Sequence, residues 1–304
     1  MINAGSGTGT IYYRLGTSGN FSTTIPSATD AGTYTVYFYV AESNNYLQST
    51  PTESVNITIA QKEVTLSWGT RSWTYDKSAH STTCTVGSLV SGTSCTVTLT
   101  GNSITNVGST TVTASSLSNS NYKLPSANTT TISIVARTVT LSWGTTSWTY
   151  DGSTHSTTCT AGNLCSGDTC TVTLSGNSVG PDSNTVSGEM PTVTATGLSN
   201  SNYALPSSRT TTLIINSRSI TYTATNESWT YDGSSHSASN TATLTSGSLV
   251  SGHTATFSCS GSVGPNVGSS TKTLNVTIKS GNTDVSGNYS MARVWGTLSI
   301  TKAN

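Results

Sequence analysis

The stretch WTYD at Trp73–Asp76 occurs three times in this chain, and its recurrence decides how the fold is organised. It returns at Trp148–Asp151 and at Trp229–Asp232, with offsets of 75 and 81 residues. An Asn-Tyr pair follows each copy, and a fourth pair precedes the first copy, at positions 45–46, 121–122, 202–203 and 288–289. Self-similarity at a nearly fixed period indicates tandem repeats of one structural unit.

The repeats predict four domains, at residues 1–62, 63–137, 138–218 and 219–304. Each unit closes with a short alternating apolar pattern, at Val55/Ile57/Ile59, Ile132/Ile134, Leu213/Ile215 and Leu298/Ile300. The complete units have 75 to 86 residues, which is the size of one small domain. Hardly any residues separate one unit from the next, so we expect an elongated, semi-rigid row of domains.

Within the units, apolar residues alternate with Ser and Thr. Val64, Leu66 and Trp68 show this period of two, and so do Ile132 and Ile134. The period is typical of strands with one buried face, and no stretch shows the 3.6-residue period of a helix. Short strands separated by Gly, Asn, Ser and Asp-Gly turns predict an all-β chain of β-sandwiches.

The composition excludes several classes of function. The 304 residues include 12 basic and 12 acidic side chains, and only 8% are charged, whereas Ser and Thr together number 116. Binding to nucleic acid through a basic surface is not expected, because phosphate contacts need clustered Lys and Arg. The apolar runs are too short for a membrane-spanning helix. Residues 1–10 lack the basic and apolar regions of a secretory signal, so none is expected there.

Several of these segments resemble a known family. The sequences WTYDGSTHS and WTYDGSSHS, the stretch GTIYYRL near the start and the closing GTLSITK are similar to bacterial immunoglobulin-like repeats. Such repeats occur in tandem in surface adhesins and in tailed-phage virion proteins. The first unit adds Asp30–Val36 (DAGTYTV), which resembles the tyrosine corner of immunoglobulin-like sandwiches, with Val36 where antibody domains have Cys.

The resemblance implies four tandem immunoglobulin-like β-sandwiches in a row, with the first lacking its N-terminal strands. That unit begins at residues 2–5, about where the second or third strand of the family pattern begins, and no WTYD strand precedes it. A sandwich without its first strands leaves a sheet edge unpaired. Either the missing strands belong to upstream sequence, or a neighbouring subunit supplies a strand and the protein assembles by strand addition.

Four cysteines form two equivalent pairs, Cys84 with Cys95 and Cys159 with Cys170. Each pair flanks a predicted hairpin loop and faces inward by the alternation, so the two positions are expected to lie opposite each other, at a distance that a disulfide can bridge. The fourth unit has an apolar pair, Leu244 and Ala255, at these positions. Two disulfides are therefore predicted, and they indicate an oxidising compartment. Cys259 is expected to be a buried free thiol, and the pairing of Cys165 stays open.

Other residue patterns are explained by structure rather than by chemistry. Asp76/His80 and their two equivalents are interpreted as turn residues, because they recur in three units. Gly176–Gly180 fits G-x-S-x-G, but a proline and a polar loop follow in place of the helix that a nucleophile elbow needs. A zinc site drawn from His155, Cys159, Cys165 and Cys170 lacks its third cysteine in the second unit.

Surface candidates remain. Trp68, Trp143 and Trp295 are residue types that stack on sugars, although the alternation favours core packing for the first two. The Asn-Tyr loops are alternative contact surfaces, and their recurrence favours a role in the fold. Basic residues recur near the end of each unit's last strand, and edge protection is favoured over bridging between domains: Lys62, Arg137, Arg218 and Lys302.

These observations predict a non-enzymatic structural or adhesive module without catalytic residues, cofactor or metal. The expected setting is extracellular, as a rod-like stalk or fibre segment of a bacterial surface protein that contacts a surface glycan or a protein receptor. Two alternatives stay open: a phage virion fibre or capsid or tail decoration protein, and the accessory region of a secreted glycan-active enzyme.

Overall fold

A computed structural model gives the structure of the protein and describes residues 9–44, 46–51, 53–181 and 190–304. Within these ranges the chain forms β-strands and one 3-10 turn, at Ser286–Asn288, and contains no α-helix. The all-β prediction is therefore confirmed, and the ranges hold no helix that is long and apolar enough to cross a membrane. Residues 2–5, where the first unit is predicted to begin, lie outside the described residues.

The chain divides into two compact units, Met1–Arg137 and Thr138–Asn304. Each unit contains two of the predicted repeats. The finer division into four immunoglobulin-like domains stays a prediction.

The first repeat is one antiparallel sheet with the strand order β1-β2-β3. Its strands are Ile11–Leu15 (β1), Gly32–Val40 (β2) and Glu53–Ile59 (β3). Side chains alternate across a strand, so the register places one apolar set on a single face of this sheet: Ile11, Tyr13, Leu15, Tyr34, Val36, Phe38, Val40, Val55, Ile57 and Ile59. Only Tyr13 and Val36 of this set are buried. The Tyr34 hydroxyl donates to the Asp30 carbonyl at 2.8 Å, which is the hydrogen bond of a tyrosine corner.

The second repeat is built from one four-stranded sheet and two smaller strand pairs. Its strands are Lys62–Glu63 (β4), Thr65–Trp68 (β5), Ser72–Thr74 (β6), Cys84–Gly87 (β7), Val97–Thr100 (β8), Gly108–Leu117 (β9), Tyr122–Lys123 (β10) and Thr129–Val135 (β11). The four-stranded sheet has the order β6-β11-β9-β8, and β5 with β7 and β4 with β10 form the separate pairs. The inward residues Val64, Val112, Ala114, Ile132 and Ile134 are buried, as their alternation predicts.

The third repeat follows the same plan. Its strands are Arg137–Thr138 (β12), Thr140–Trp143 (β13), Ser147–Thr149 (β14), His155–Ser156 (β15), Cys159–Gly162 (β16), Val172–Ser175 (β17), Ser178–Val179 (β18), Thr192–Leu198 (β19), Tyr203–Ala204 (β20), Thr210–Thr212 (β21) and Ile214–Asn216 (β22). The strands β17, β19 and β21 form one antiparallel sheet, and β13 pairs with β16.

The fourth repeat is the most regular sandwich. Its strands are Arg218–Ala224 (β23), Glu227–Thr230 (β24), His236–Ser237 (β25), Ala242–Ser246 (β26), His253–Ser260 (β27), Ser262–Val263 (β28), Gly268–Ser280 (β29), Thr283–Asp284 (β30), Tyr289–Val294 (β31) and Gly296–Thr301 (β32). A three-stranded sheet, β26-β23-β31, faces a sheet in the order β24-β32-β29-β27. Ile220 and Tyr222 on one sheet share a buried cluster with Leu274, Val276 and Ile278 on the other.

The WTYD strand has the same place in all three complete repeats. It runs parallel to the last strand of its repeat, and the tryptophan lies opposite the same isoleucine position. The pairs are Trp73 with Ile134, Trp148 with Ile215, and Trp229 with Ile300. The backbone amide of the following tyrosine donates to the carbonyl at the end of that last strand, at 2.8–2.9 Å. The sequence repeat is thus also a repeat of strand register.

Candidate functional site

Each WTYD motif leads into a turn that joins tryptophan, histidine and aspartate. The imidazole of His80 stacks on Trp73 with ring centroids 4.9 Å apart, and its Nε2 lies 2.9 Å from Asp76 Oδ1. The other two copies have the same contacts, with stacking distances of 4.9 and 4.6 Å and Nε2–Oδ1 distances of 3.0 and 3.3 Å: Trp148/His155/Asp151 and Trp229/His236/Asp232.

The aspartate of this turn has a structural task. Asp76 Oδ1 accepts the backbone amide of Ser78 at 2.8 Å, and the equivalent bonds in the other copies are 2.9 Å long. This is an Asx-type turn, in which the side chain replaces a backbone acceptor. The residue after the aspartate has a left-handed backbone, with φ of 71° at Lys77 and 77° at Gly152 and Gly233. The prediction that these residues form a turn is confirmed.

These turn bonds predict how stability responds to acid. The Ser78 amide, followed by His80, holds the pKa of Asp76 below its ordinary value of 3.8, and Asp151 and Asp232 are lowered for the same reasons. A lowered pKa in the folded state adds stability that is complete above the unfolded value and is lost as pH falls through the folded value. Replacing all three aspartates by asparagine should therefore flatten the decline of melting temperature below about pH 4.

Thermal unfolding of the triple variant and of the parent chain at several pH values from 6 to 2 tests this expectation. Asparagine keeps an Oδ1 acceptor for the turn amide but lacks the negative charge, so the triple variant should melt below the parent chain at pH 6 and approach it at pH 2. An acid profile that is identical in the two proteins would contradict the assignment.

In the three complete repeats, the tyrosine of the Asn-Tyr pair fastens a loop of its own repeat. The Tyr122 hydroxyl accepts the Val90 amide at 2.9 Å and lies 2.6 Å from Thr93 Oγ1. Tyr203 accepts the Cys165 amide and donates to Asp168 Oδ2, and Tyr289 accepts the Val250 amide and contacts His253 Nδ1. All three rings are buried. Burial raises the pKa of Tyr203 and of Tyr289, so both hydroxyls stay protonated. A role in the fold, which the sequence favours for these loops, agrees with the contacts.

The third and fourth repeats meet at a packed junction. Tyr150, from the WTYD motif of the third repeat, is 4% exposed, and its ring lies 5.7 Å from that of Tyr289 and 6.1 Å from that of His253. A Cβ added at Gly152 would lie 2.9 Å from Val250 Cγ1, so the backbone of one repeat approaches the side chains of the next. One buried cluster contains residues of both repeats.

Arg218 joins the same junction by hydrogen bonds. Its guanidinium donates to the carbonyl and the hydroxyl of Ser248, each at 2.6 Å, and to the Tyr150 carbonyl at 3.4 Å. The prediction that this basic residue protects an edge is therefore wrong for Arg218, because its guanidinium is used to bridge two repeats. Only one residue, Ser217, separates β22 from β23, so Arg218 lies directly at the junction between the third and fourth repeats. The prediction of edge protection did not take this short connection into account.

A cleft of about 370 Å³ lies between the first and second repeats. Its walls carry the Asp30 carboxylate, the Lys62 side chain and the Asn121 amide, and Tyr122, Val90 and Thr93 line it from the second repeat. Asn121 Nδ2 donates to Asp30 Oδ1 at 2.8 Å, and Asn121 Oδ1 accepts the Ala31 amide at 2.6 Å, so one asparagine fixes the loop of the first repeat.

Beside the cleft, the outer edge of β3 has no strand partner among the described residues. In the complete repeats this edge is occupied by the WTYD strand. Ile57 corresponds to Ile132 by register, since Ile59 faces Gly32 as Ile134 faces Gly108. Ile57 is 50% exposed, whereas Ile132 is 0% exposed. The repeat pattern identifies the kind of strand that occupies this edge in the complete repeats, but the cleft beside the edge could not be predicted from the sequence.

The fourth repeat contains a buried ion pair that the sequence analysis missed. The Lys272 side chain is 0% exposed, and its ammonium contacts Glu227 Oε1 and donates to Thr241 Oγ1 at 3.0 Å. The Lys272 hydrogen bond holds the pKa of Glu227 below its ordinary value, with help from Ser239. The sequence contained a sign of this pair, because Lys272 alternates in step with Leu274, Val276 and Ile278 and therefore lies on the buried face of β29.

All six cysteines are free thiols in the structure, and each is partly buried. Thr160 lies opposite Thr171, which places Cys159 across from Val172 rather than across from Cys170. The register predicted for this hairpin is therefore wrong by two residues, because the hairpin is centred one residue beyond the midpoint between the two cysteines. Diagonal positions are about 7–8 Å apart, beyond the usual Cα spacing of a disulfide of about 4.4–6.8 Å. The bridges Cys84–Cys95 and Cys159–Cys170 stay predictions.

The other residues that the sequence offered for catalysis, metal binding or sugar stacking do not come together in one site among the described residues. Ser178 of the G-x-S-x-G stretch lies in the two-residue strand β18, opposite Ser156, and no helix follows it in the described ranges. No three His, Cys, Asp or Glu side chains of the described residues form a group that could hold a metal ion. Trp143 packs against the core as predicted, and Trp295 is exposed.

No protein-family model and no curated protein sequence matches this chain.

Proposed function

We propose that the chain is a non-enzymatic structural segment, a stalk or fibre of β-sandwich repeats that works outside the cell and holds other parts of an assembly at a distance. The extracellular setting and the family resemblance come from the sequence. The physical support comes from the way in which neighbouring repeats are joined.

The junction between the third and fourth repeats is the observation that carries this proposal. Tyr150, Tyr289 and Arg218 join the two repeats by ring packing and by charge-assisted hydrogen bonds, with one residue between the flanking strands. A flexible tether would have a longer, Gly- and Ser-rich linker and no shared core. A short linker with a shared core resists bending, which is the property that a spacer needs.

The polar clusters support the same interpretation. The aspartate of each WTYD motif accepts a turn amide, and the histidine that follows it stacks on the tryptophan of the motif. The tyrosine of the Asn-Tyr pair in each complete repeat holds a loop. A general acid or base, in contrast, needs a side chain that is available to a substrate. The clusters that recur most faithfully in this chain are committed to the fold.

Small-angle X-ray scattering on the full chain tests the proposal. A single globule of 304 residues would have a radius of gyration of about 19 Å. A stiff row of repeats should exceed this value by at least one half and should show the scattering profile of a rod. A radius close to the globular value would contradict the spacer function.

A further inference from the structure

We propose that the first repeat binds an extended segment of a partner protein other than a second copy of this chain, whose own three copies of the motif are already paired within their repeats. The segment is of the type Ser-Trp-Thr-Tyr, adds as a parallel strand to the outer edge of β3 and places its tyrosine in the cleft beside Tyr122. This site goes beyond the spacer function, because it would connect the stalk to a partner.

The three complete repeats provide the template. In each of them a Trp-Thr-Tyr strand runs parallel to the last strand of the repeat, in one register. In the second repeat, Ser133 donates its amide to the Arg71 carbonyl, and the Val135 carbonyl accepts the Tyr75 amide, both at 2.9 Å. The equivalent groups of the first repeat are the Thr58 amide and the Ala60 carbonyl. They form the outer edge of β3, to which no described strand is bound.

Apolar exposure at this edge agrees with a missing partner. Ile57 is 50% exposed, whereas the residues at its position in the other repeats are fully buried: Ile132, Leu213 and Leu298. An added strand would remove this isoleucine from water as it continues the sheet. Strand addition of this kind gains affinity from backbone hydrogen bonds and specificity from side-chain pockets.

The cleft is a pocket for the tyrosine of the added strand. At the third-to-fourth junction, Tyr150 of the WTYD strand packs against Tyr289 and His253 of the following repeat, and Val250 lies beside it. The second repeat has Tyr122, Thr93 and Val90 at the positions of Tyr289, His253 and Val250. The equivalence follows because each tyrosine hydroxyl makes the same two contacts with the equivalent loop of its own repeat. All three line the cleft. The first repeat has no described tyrosine of its own to fill it.

Two independent observations thus converge on one ligand. The open edge of β3 requires an extended backbone. The tryptophan of that segment would lie opposite Ile59, and the adjacent cleft would receive the aromatic side chain two positions after it. The segment should continue into the Asp-Gly turn and its histidine, because the imidazole stacks on the tryptophan in all three copies. A peptide with the sequence of Thr145–Ser156 (TTSWTYDGSTHS) has all of these features.

The test measures binding of this peptide, labelled with a fluorophore, to the full chain by fluorescence anisotropy. We expect saturable one-to-one binding and slower hydrogen exchange at the Thr58 amide. A peptide with alanine at the tyrosine position should bind at least tenfold more weakly. The chain variant Ile57→Lys should also lose at least tenfold, whereas Ile25→Lys, which changes an exposed isoleucine of the same repeat away from β3, should bind like the parent.

A second variant keeps the test decisive if Ile57→Lys disturbs the fold. Thr58→Pro removes the amide that points away from β2, and proline is tolerated on the outer side of an edge strand. Equal binding of a scrambled peptide, or unchanged binding by both edge variants, would overturn the proposal. So would dimers of the chain that Ile57→Lys disperses, because a second copy would then occupy the edge. The scattering result for the spacer function is independent of each of these outcomes.

Discussion

Replacing Glu227 by alanine is expected to destabilise the fourth repeat by about 3–5 kcal/mol, because it leaves the Lys272 ammonium buried without its charge partner. Lys272 is fully buried and would keep only the Thr241 hydroxyl. The loss is large against a typical domain stability of about 5–15 kcal/mol. Hydrogen exchange of the β29 amides in the full chain, measured against urea concentration, reports the change in this repeat alone.

The third repeat supplies the matched control for this experiment. It has Thr146 and Val193 at the positions of Glu227 and Lys272, and Val193 is fully buried. The double variant Glu227→Thr/Lys272→Val should therefore recover most of the lost stability, since it removes both charges and fills the inward position with an apolar side chain. A double variant no more stable than Glu227→Ala would show that the lost stability does not come from the uncompensated charge.

Replacing Tyr150 by alanine is expected to cost about 3–5 kcal/mol, the usual loss for a large aromatic side chain in a core. Tyr150 is packed by the following repeat, so the variant should also weaken the coupling between the third and fourth repeats. Tyr231 has the same place in the next WTYD motif and is 46% exposed. Its replacement by alanine should cost less than about 1 kcal/mol.

Calorimetry of the full chain distinguishes the two variants. In the parent we expect the third and fourth repeats to unfold in one transition, because they share a buried cluster. Tyr150→Ala should split this transition into two and lower both, and Tyr231→Ala should leave it intact. Equal effects of the two substitutions would mean that the junction does not couple the repeats.

Much of the fold follows from period and repetition. Val64, Ile132 and Ile134 are buried, as their alternation with Ser and Thr requires, and the WTYD copies share one register. These features depend on local geometry, in which each side chain on a strand alternates between two faces. This alternation can be seen directly in the sequence, as apolar residues at every second position.

What the sequence could not show depends on pairing between distant residues. The contact of Lys272 with Glu227 joins positions 45 residues apart, and Arg218 reaches both Tyr150 and Ser248. The register predicted for Cys159 was wrong because the hairpin is not centred on the midpoint between Cys159 and Cys170, and the sequence does not show where the turn is centred. The cleft beside Tyr122 is visible only once two repeats are placed together.

The junction at Tyr150 also bears on how such a chain can change its length during evolution. Its contacts join a WTYD motif to the Asn-Tyr loop one repeat later, and both parts recur in every complete unit. Recombination between equivalent positions adds or deletes a whole repeat and recreates the same contact at the new joint. An exchange that begins and ends out of phase would separate a tyrosine from its pocket, so selection should favour the gain or loss of whole repeats over exchanges that join unlike positions.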